Sequence, residues 1–464
     1  MAESLAYFLL AYQILMLLYF LILNSGYTFI TFIAYRYIKR SADATPNIDR
    51  LLAATASSNL RPISIIVPAY NEELTILDTV LATTRVKYPE FEIIIVNDGS
   101  KDRTLEKLRE HFGLVEIKRP PKVTIKTQPI NAVYVSKTSP NLWVIDKVNG
   151  GKADALNVGL AFSRYPLFCA VDADSILESD AMLRMGQQFL LNKDLIAAGG
   201  AVRVLNGCKV EQSAVTEIKA PKSILENIQV SEYLRGFMAG RVAWGEYDSL
   251  LIISGAFGIF RKDMVLAIDG YRKTVGEDMD LVLRLHRHCI EQGIKYKVYF
   301  VPEPICWTQV PSDLPSLLRQ RNRWQRGLFD SLWYNRVMLF NPKYGRVGTL
   351  GMPYFFLVEL FGPIIEFIGY FGFILFAIFH LLNPVFAWLF FAVSILWGMW
   401  LNASAVMLDN YVVHKYAKLR DSYKIAILGT FEYLGYRQLV SIERLMGTFM
   451  VWRSHWGHVK RKSH

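Results

Sequence analysis

Two acidic residues separated by one alanine, Asp172 and Asp174, follow the short apolar run of residues 165–171. The run predicts a buried strand, and alternation along a strand predicts that both carboxylates point to one face. Hard oxygen ligands at this spacing suit Mg²⁺ or Mn²⁺, which bind through one or two carboxylates together with substrate phosphates. Turns and helix caps use the same residue types. The pair is therefore a candidate metal site whose interpretation depends on the other polar motifs of the chain.

Two further segments place carboxylates at the ends of predicted strands, at residues 67–73 (VPAYNEE) and 96–100 (VNDGS). A carboxylate at a strand end can accept hydrogen bonds from the imide N–H or the ribose hydroxyls of a nucleotide. Either segment alone would be interpreted as a helix cap or a turn. The predicted substrate-binding residues of these segments are Ala69, Tyr70, Glu72 and Asp98.

Two glycines and a lysine form another motif, in residues 149–157 (NGGKADALN). Glycines let the backbone approach a ligand closely. Lys152 would present a point charge at a helix N-terminus, whose dipole also favours a phosphate. The segment predicts a phosphate site, although a flexible loop with a solvated lysine would use the same residues.

Glu277 and Asp278 open a later predicted helix, in the segment GEDMDL. Acids are common in a first helical turn because they interact favourably with the helix dipole. A carboxylate beside a substrate hydroxyl could also remove its proton. We predict that Asp278 is a general base and that Glu277 is the second catalytic residue.

Gln320, Arg323 and Trp324 stand at positions i, i+3 and i+4 of a predicted helix and therefore share one face. Arg323 could bind a phosphate oxygen, and Trp324 offers an aromatic surface on which a sugar could stack. A basic, tryptophan-anchored helix at a membrane surface would show the same pattern. The two interpretations can hold for different faces of the helix.

Strands and helices alternate from Arg61 onward, which predicts how these motifs are positioned. Two buried strands linked by a helix predict a parallel sheet, and ligands of such sheets bind at the carboxyl ends of the strands. We therefore expect an α/β fold. The predicted strands are residues 62–70, 91–98, 141–146, 195–204 and 250–260, and the first two predicted helices are residues 71–86 and 102–112.

Apolar residues make up 52% of the 464 residues and are concentrated in uncharged stretches at residues 5–35, 371–382 and 384–408. With its flanks, each stretch can reach the ~20 residues that cross a bilayer. Basic residues follow the first stretch, precede the second and follow the third, which predicts that residues 41–346 are cytosolic. These flanking residues are Arg36, Lys39, Arg40, Arg336, Lys343, Arg346, His414, Lys415, Lys418, Arg420 and Lys424.

The predicted organisation has a membrane anchor at each end of the central block of residues 41–346, which we call the catalytic block, in the cytoplasmic membrane. Its parts are an N-terminal transmembrane anchor (1–40), a linker (41–60), a cytosolic α/β domain (61–314), an interfacial helix (315–346), transmembrane helices (347–410), and a cytosolic loop, interfacial or re-entrant helix and basic tail (411–464).

The net charge of +11 suits contact with anionic membrane lipids and nucleotide phosphates. No basic module interleaved with aromatic residues occurs, so we expect no nucleic-acid partner. The four cysteines lack metal-type spacing, and we expect them to be free thiols.

Taken together, these motifs resemble the membrane-embedded family 2 inverting glycosyltransferases, the group that contains cellulose, chitin, hyaluronan and poly-N-acetylglucosamine synthases. The resemblance covers about residues 61–327. It implies a GT-A (Rossmann-like) domain, with Gly276 at a position where many relatives have threonine. It further implies that Asp98 and Lys152 bind UDP and that Asp172 and Asp174 bind the nucleotide and Mg²⁺ or Mn²⁺. Asp278 would remove the proton of the acceptor. Gln320, Arg323 and Trp324 would contact the diphosphate and acceptor, and Gly255, in the segment SGAFG, would contact the acceptor sugar.

The resemblance further implies an inverting hexosyltransferase that adds a sugar from UDP-N-acetylglucosamine or UDP-glucose to a growing β-linked polysaccharide. The partners would be the UDP-sugar, a glycan or lipid acceptor, and membrane lipids. Transfer of one sugar to a lipid is the alternative within enzymes, and a nucleotide-sensing transporter or receptor is the alternative of another class. Glu359 and Glu366, acids within a predicted membrane region, would face a polar cavity that serves a polar product.

Overall fold

The computed structural model describes residues 2–42, 60–413 and 419–450. The predicted linker falls almost wholly outside the described residues, as does the predicted basic tail from residue 451 onward. His414, Lys415 and Lys418 of the third basic flank also lie outside them.

A central sheet organises the middle of the chain. In the described residues the strands are β1 (Ile63–Ala69), β2 (Phe91–Asp98), β3 (Leu114–Ile117), β4 (Ile130–Ser136), β5 (Leu142–Lys147), β6 (Leu167–Val171), β7 (Ser175–Leu177), β8 (Leu195–Val204), β9 (Lys209–Glu211), β10 (Ala214–Glu217), β11 (Phe257–Arg261) and β12 (Lys297–Thr308). Ten of them form one sheet in the order β3-β4-β5-β2-β1-β6-β11-β8-β12-β7, and β9 pairs with β10.

The sheet is parallel where the sequence predicts it. Strands β5, β2, β1 and β6 run parallel, and their buried apolar residues explain the near-continuous hydrophobic runs. Strand β11 is antiparallel to both β6 and β8, which makes the sheet mixed. The predicted α/β class is confirmed, and the aligned ends of the parallel strands meet at one edge.

Helices cover the sheet and continue into an apolar bundle. They are α1 (Ala2–Ala42), α2 (Ile76–Thr84), α3 (Thr104–Phe112), α4 (Lys152–Phe162), α5 (Ala181–Leu191), α6 (Ile224–Leu234), α7 (Val242–Glu246), α8 (Lys262–Leu266), α9 (Glu277–Glu291), α10 (Leu314–Tyr334), α11 (Met352–Tyr354), α12 (Gly362–Ile378), α13 (Pro384–Phe391), α14 (Trp397–Val413), α15 (Leu419–Thr430) and α16 (Tyr436–Phe449). The π-helical segments are Arg235–Arg241, Val347–Gly351, Phe355–Leu360 and Ala392–Leu396, and the 3₁₀ segments are Arg336–Met338, Pro342–Tyr344 and Phe431–Tyr433.

Three helical segments in the described chain are long and apolar enough to cross a bilayer: Tyr7–Arg40, Val347–Ile378 and Pro384–Tyr411. The second begins well before the predicted stretch at residue 371. The end of α1 packs on the domain, because Ala34 and Ile38 are buried in the same apolar core as the sheet.

Two predicted elements begin at the wrong residue. Helix α2 begins at Ile76, not at Asn71, because side chains of the loop after β2 and of the first residue of α3 accept hydrogen bonds from the backbone N–H groups of residues 71–73 and hold them in a turn. Strand β11 begins at Phe257, not at residue 250. The apolar residues before it are buried by packing on helices, as Leu251 is, and not by strand pairing.

All four cysteines are free, as predicted: Cys169, Cys208, Cys289 and Cys306.

Candidate active site

A cavity of about 1610 Å³ lies at the carboxyl edge of the parallel strands. The ends of β1, β2 and β6, the glycine loop before α4, the first turn of α9 and one face of α10 line it. Every predicted site residue lines this cavity: Ala69, Tyr70, Glu72, Asp98, Lys152, Asp172, Asp174, Gly255, Glu277, Asp278, Gln320, Arg323 and Trp324.

The acidic pair lies in the turn between β6 and β7. Strand β6 ends at Val171, and the Ser175 N–H donates to the Asp172 carbonyl oxygen at 3.0 Å. The prediction that strand alternation orients the two carboxylates was wrong, because neither aspartate is in the strand. Asp174 is buried and Asp172 partly exposed, and both still line the cavity.

Lys152 begins α4 and carries its ammonium group to the acidic end of the cavity. Its Nζ lies 2.6 Å from Asp172 Oδ1 and 3.2 Å from Glu277 Oε1. Burial lowers the pKa of Lys152, but the attraction of these two carboxylates outweighs burial and raises the pKa above its ordinary value. Lys152 is therefore a permanent positive charge beside Asp172.

Asp98 is bound within the glycine loop. Its carboxylate accepts hydrogen bonds from the N–H groups of Gly150 at 3.0 Å and Gly151 at 2.8 Å. It also forms an ion pair with Lys147 at 2.5 Å. Gly151 has a φ of +93°, which favours glycine. Asp98 thus fixes the loop that delivers Lys152, whereas its predicted contact with a nucleotide stays a prediction.

Lys147 has no place among the predicted site residues, yet it supports this loop. The side chain is fully buried, and Nζ lies 2.7 Å from Asp154 Oδ2 as well as beside Asp98. A buried ammonium group requires such partners because its desolvation is costly. The sequence contains one sign of this buried role, because Lys147 is a lysine at the end of an apolar predicted strand.

The two acids of α9 occupy different environments. Glu277 is buried, and burial raises its pKa, with Asp278 adding to the shift and Lys152 opposing it. Asp278 is partly exposed to the cavity. Its Oδ1 accepts a hydrogen bond from Met279 N at 2.8 Å, and its Oδ2 accepts one from Gly255 N at 3.2 Å. Two backbone donors therefore fix the orientation of the Asp278 carboxylate.

Two glycines bring α9 and α10 together. A Cβ on Gly276 would lie 2.5 Å from the carbonyl oxygen of Gly327, and a Cβ on Gly327 would lie 2.8 Å from Gly276 Cα. Since real Cβ contacts are not this short, a threonine at position 276 would not fit this approach. The contact holds the acidic turn against the helix that bears Arg323 and Trp324.

The helix α10 presents its predicted face to the cavity. Gln320 Oε1 accepts a hydrogen bond from Arg321 at 3.1 Å, and the Arg321 guanidinium lies 4.2 Å from the Trp324 ring centroid. Arg321 is itself paired with Glu232 at 2.5 Å. Trp324 remains 45% exposed, so its ring is available to a ligand in the cavity.

The cavity continues beyond α10 to the apolar helices, where two ion pairs line it. Glu366 pairs with Arg437 at 2.5 Å and accepts a hydrogen bond from Ser441 Oγ at 2.8 Å. Glu359 lies 3.4 Å from Arg444. Both acids of the second candidate span thus face a polar cavity, as predicted.

The acidic pair fits a divalent cation by the chemistry of its donors. Within the described residues no cluster of three or more His, Cys, Asp or Glu side chains could hold a metal ion. A site at Asp172 and Asp174 would therefore need further oxygens from ligand phosphates or water, as Mg²⁺ sites commonly do. The Lys152 ammonium group against Asp172 indicates that this position stabilises positive charge.

Comparison with known proteins gives a family match over most of the catalytic block. The profile of the family described as "Glycosyltransferase like family 2" matches residues 61–327. The poly-beta-1,6-N-acetyl-D-glucosamine synthase of Staphylococcus epidermidis is 29% identical over 321 residues, which cover 69% of this chain and 64% of that protein. The protein of the same name from Staphylococcus aureus (strain COL) is 29% identical over 323 residues, with the same two shares. The chain thus spans about 64% of the length of these relatives.

A solved structure shares the fold. The mannosyltransferase PcManGT from Pyrobaculum calidifontis, in complex with GDP-Man and Mn²⁺, superposes with a TM-score of 0.53 at 14% sequence identity. The match covers 94% of this chain and 98% of that chain. The predicted GT-A-like fold with flanking apolar helices is therefore confirmed.

Proposed function

Because this chain belongs to glycosyltransferase family 2, we propose that it transfers a sugar from a UDP-sugar to a growing β-linked polysaccharide with inversion at the anomeric carbon. The donor is UDP-N-acetylglucosamine or UDP-glucose. The name of the staphylococcal relatives, which specifies N-acetyl-D-glucosamine, favours the former.

The observation that carries the proposal is the convergence of all the family motifs on one cavity. The phosphate-side groups, Lys152 and Asp172, are in contact at 2.6 Å. Asp278 follows Glu277, the other partner of Lys152, in the first turn of α9, and Trp324 lines the same cavity. This order supports a donor diphosphate on one side of Asp278 and an acceptor on the other.

In the proposed reaction Asp278 accepts the proton of the acceptor hydroxyl. The hydroxyl oxygen then forms a bond to the anomeric carbon of the donor while the bond from that carbon to the UDP oxygen breaks. Lys152 and Arg323 stabilise the charge on the departing diphosphate. A single in-line displacement gives a β-linked product from an α-linked donor.

The remaining groups bind and orient the donor. Mg²⁺ or Mn²⁺ held by Asp172 and Asp174 would supply further positive charge to the diphosphate. The nucleoside would lie against the strand ends, and Asp98 would act there chiefly through the loop that it fixes. The other groups proposed for donor contact are Ala69, Tyr70 and Glu72, with Glu277 holding Lys152 in place.

The reaction is proposed to take place at the cytoplasmic face of the membrane. The three candidate spans and the basic residues beside them support this orientation. The catalytic domain would be residues 61–314, α10 would lie at the interface, and residues 347–410 would cross the bilayer. The continuation of the cavity past Glu359 and Glu366 offers a polar route for a growing glycan.

The test is an assay on the purified full chain in detergent with a panel of UDP-sugars and Mg²⁺ or Mn²⁺. UDP release identifies the donor, and mass spectrometry of the product gives the sugar and the number of units added. We expect UDP-N-acetylglucosamine to give a ladder of β-linked products. Addition of a single sugar to a lipid under excess donor would support the alternative of single transfer. UDP binding without any transfer would contradict an enzymatic role.

A further inference from the structure

The π-helical segment Arg235–Arg241 continues α6 and lines the cavity next to the catalytic groups. π-helical turns are rare and occur frequently at functional sites. An arginine stands at each end of this segment, and the two differ in their hydrogen-bond and ion-pair partners. Arg241, the second of these arginines, belongs to none of the motifs that predict the site.

Arg235 is fully paired. Its guanidinium donates to Glu432 at 2.6 and 2.8 Å and also to the side chain of Asn402. The residue therefore ties the π-helical segment to the helices near the C-terminal end of the chain. Arg235 has a structural role that needs no ligand.

Arg241 lacks such partners. Its guanidinium stacks on Phe237, 3.7 Å from the ring centroid, and its Nε is buried without a hydrogen-bond partner. In the part of the chain that the structure describes, no carboxylate lies within 4 Å of this guanidinium. A buried donor without an acceptor costs free energy, and a ligand in this cavity would supply an acceptor to the Arg241 guanidinium.

The position of Arg241 indicates which ligand this is. Burial lowers the pKa of Arg241 to about 10, and attraction by Asp278 and Tyr233 opposes the shift. The π-helical segment that carries Arg241 packs against α1 and α14, two helices of the candidate spans, whereas Lys152 contacts Asp172 and Glu277. Arg241 therefore lies on an element that borders the candidate spans, and it is close enough to Asp278 to be attracted by that charge.

The surroundings of Arg241 suit a sugar. Phe237 covers one face of the guanidinium, which leaves the edge with its N–H groups for directional hydrogen bonds. Trp244, three residues further on, also lines the cavity and packs 4.8 Å from Tyr354 of the second candidate span. Directed N–H donors beside aromatic rings match the hydroxyl or acetamido oxygens of a pyranose.

We propose that Arg241 binds the acceptor sugar, donating hydrogen bonds to ring oxygens or substituent oxygens next to the hydroxyl that Asp278 deprotonates. This role rests on the proposed function, since it requires an acceptor at Asp278. It adds an acceptor-binding residue on the π-helical segment, separate from α10 and from the donor site.

The test compares Arg241→Met and Arg241→Lys with Arg287→Ala, a control at an exposed arginine paired with Glu291 on α9. Transfer is measured against increasing concentrations of β-1,6-linked N-acetylglucosamine oligosaccharides, and UDP binding is measured by calorimetry. We expect Arg241→Met to lower kcat/KM for the oligosaccharide roughly 10- to 100-fold, as loss of hydrogen bonds from a charged donor would. UDP affinity and acceptor-independent UDP release should be unchanged, and Arg241→Lys should show an intermediate loss.

Thermal unfolding separates this role from a structural one. Removing an unpartnered buried cation should leave Tm of Arg241→Met equal to or above that of the wild type, whereas a structural arginine would lower it. The proposal would be overturned if Arg241→Met lost UDP affinity to the same extent as transfer, or if its acceptor kinetics were unchanged. It would also be overturned if the only change were a shift of the acid limb in the dependence of the transfer rate on pH. Absence of transfer by the wild-type chain with every UDP-sugar would overturn the proposed function itself, and this role with it.

Discussion

At the scale of single residues, Lys152 and Asp278 are held by different kinds of contact. Lys152 is shared between Asp172 and Glu277, so its positive charge is already paired before any ligand binds. The Asp278 carboxylate is oriented by hydrogen bonds from two backbone N–H groups. This leaves its carboxylate available as a proton acceptor, which is the property that a general base requires.

Asp278→Asn should therefore abolish transfer without loss of UDP binding. The amide oxygen can still accept the Gly255 hydrogen bond, but the side chain can no longer take a proton. A positioned base contributes roughly 10²–10⁴ in rate, so UDP release should fall by about that factor. The control is Asp194→Asn, at an exposed aspartate paired with Lys295. Transfer within a few-fold of the wild-type rate would show that another group is the base.

We expect strict dependence on Mg²⁺ or Mn²⁺, and loss of activity in Asp174→Ala. The reason is that two carboxylates in the turn after β6 fit a hard cation that a diphosphate completes. The dependence on a metal ion is tested by measuring activity in excess EDTA and again after Mn²⁺ is added back. The metal site is tested by following Mn²⁺ binding in the presence of UDP by electron paramagnetic resonance. Asp180→Ala, at an aspartate paired with Arg184, is the control. Full activity in EDTA would contradict a metal-dependent reaction.

At the scale of elements, burial decides what could be predicted from the sequence. The apolar runs of β1, β2, β5 and β8 predict strands because both faces of a central strand are covered. The edge strand β3 and its neighbour β4 are short and partly exposed, so they carry no long apolar run that would mark them. The start of α2 was misplaced because its competing turn is held by hydrogen bonds from a distant loop, which local propensity does not contain.

The candidate site could be predicted as a set of motifs but not as a geometry. Spacing along a helix places Arg323 and Trp324 on one face, and the structure agrees. The support of the glycine loop by Lys147, and the unpartnered Arg241, depend on contacts between segments far apart in sequence. Contacts between residues far apart in the sequence produce no periodic pattern of residue types, so a single sequence does not predict them.

The glycine contact between α9 and α10 gives a prediction at this scale. In Gly276→Ala the new Cβ would meet the Gly327 carbonyl oxygen at 2.5 Å, and the two helices must separate. Overpacking of this kind costs about 1–3 kcal/mol, so Tm should fall. Because α9 carries Asp278, the transfer rate should fall more than UDP affinity. Gly26→Ala, where nothing lies within 4 Å of the added Cβ, should leave both unchanged. Wild-type behaviour of Gly276→Ala would show that the contact can relax.

At the scale of the whole molecule, the catalytic block lies between the first candidate span, which ends at Arg40, and the second, which begins at Val347. Both ends carry basic residues, and the short connection between the second and third spans carries none of the lysines and arginines that mark the cytosolic side. The block and the residues after Tyr411 would then share one side of the membrane, with residues 379–383 on the other.

This topology predicts that the catalytic block is cytosolic and residue 1 is outside. Lys101→Cys, on the exposed loop before α3, should react with a membrane-impermeant maleimide only after the cells are permeabilised. Leu381→Cys, between the second and third candidate spans, is the matched control and should react in intact cells. Labelling of position 101 in intact cells would reverse the orientation.

The last prediction concerns how many sugars are added. Trp324 lines the cavity that runs from Asp278 to the ion pairs of Glu359 and Glu366, so a glycan leaving the base would pass its ring. Since an aromatic platform would hold the acceptor and not the nucleotide, Trp324→Ala should reduce polymer yield more than donor hydrolysis. We expect a loss of roughly tenfold in yield, which corresponds to about 1.4 kcal/mol of acceptor binding.

The measurement is the length distribution of products by mass spectrometry beside UDP release in the same reactions. Trp333→Ala is the matched control, because Trp333 is on the same helix and is exposed, but it stacks on Phe329 and does not line the cavity. Shorter products from Trp324→Ala at unchanged UDP release would connect the ring to retention of the chain. Equal losses in both readouts would assign Trp324 to the donor site, and a wild-type product of one sugar on a lipid would leave no growing chain for the ring to hold.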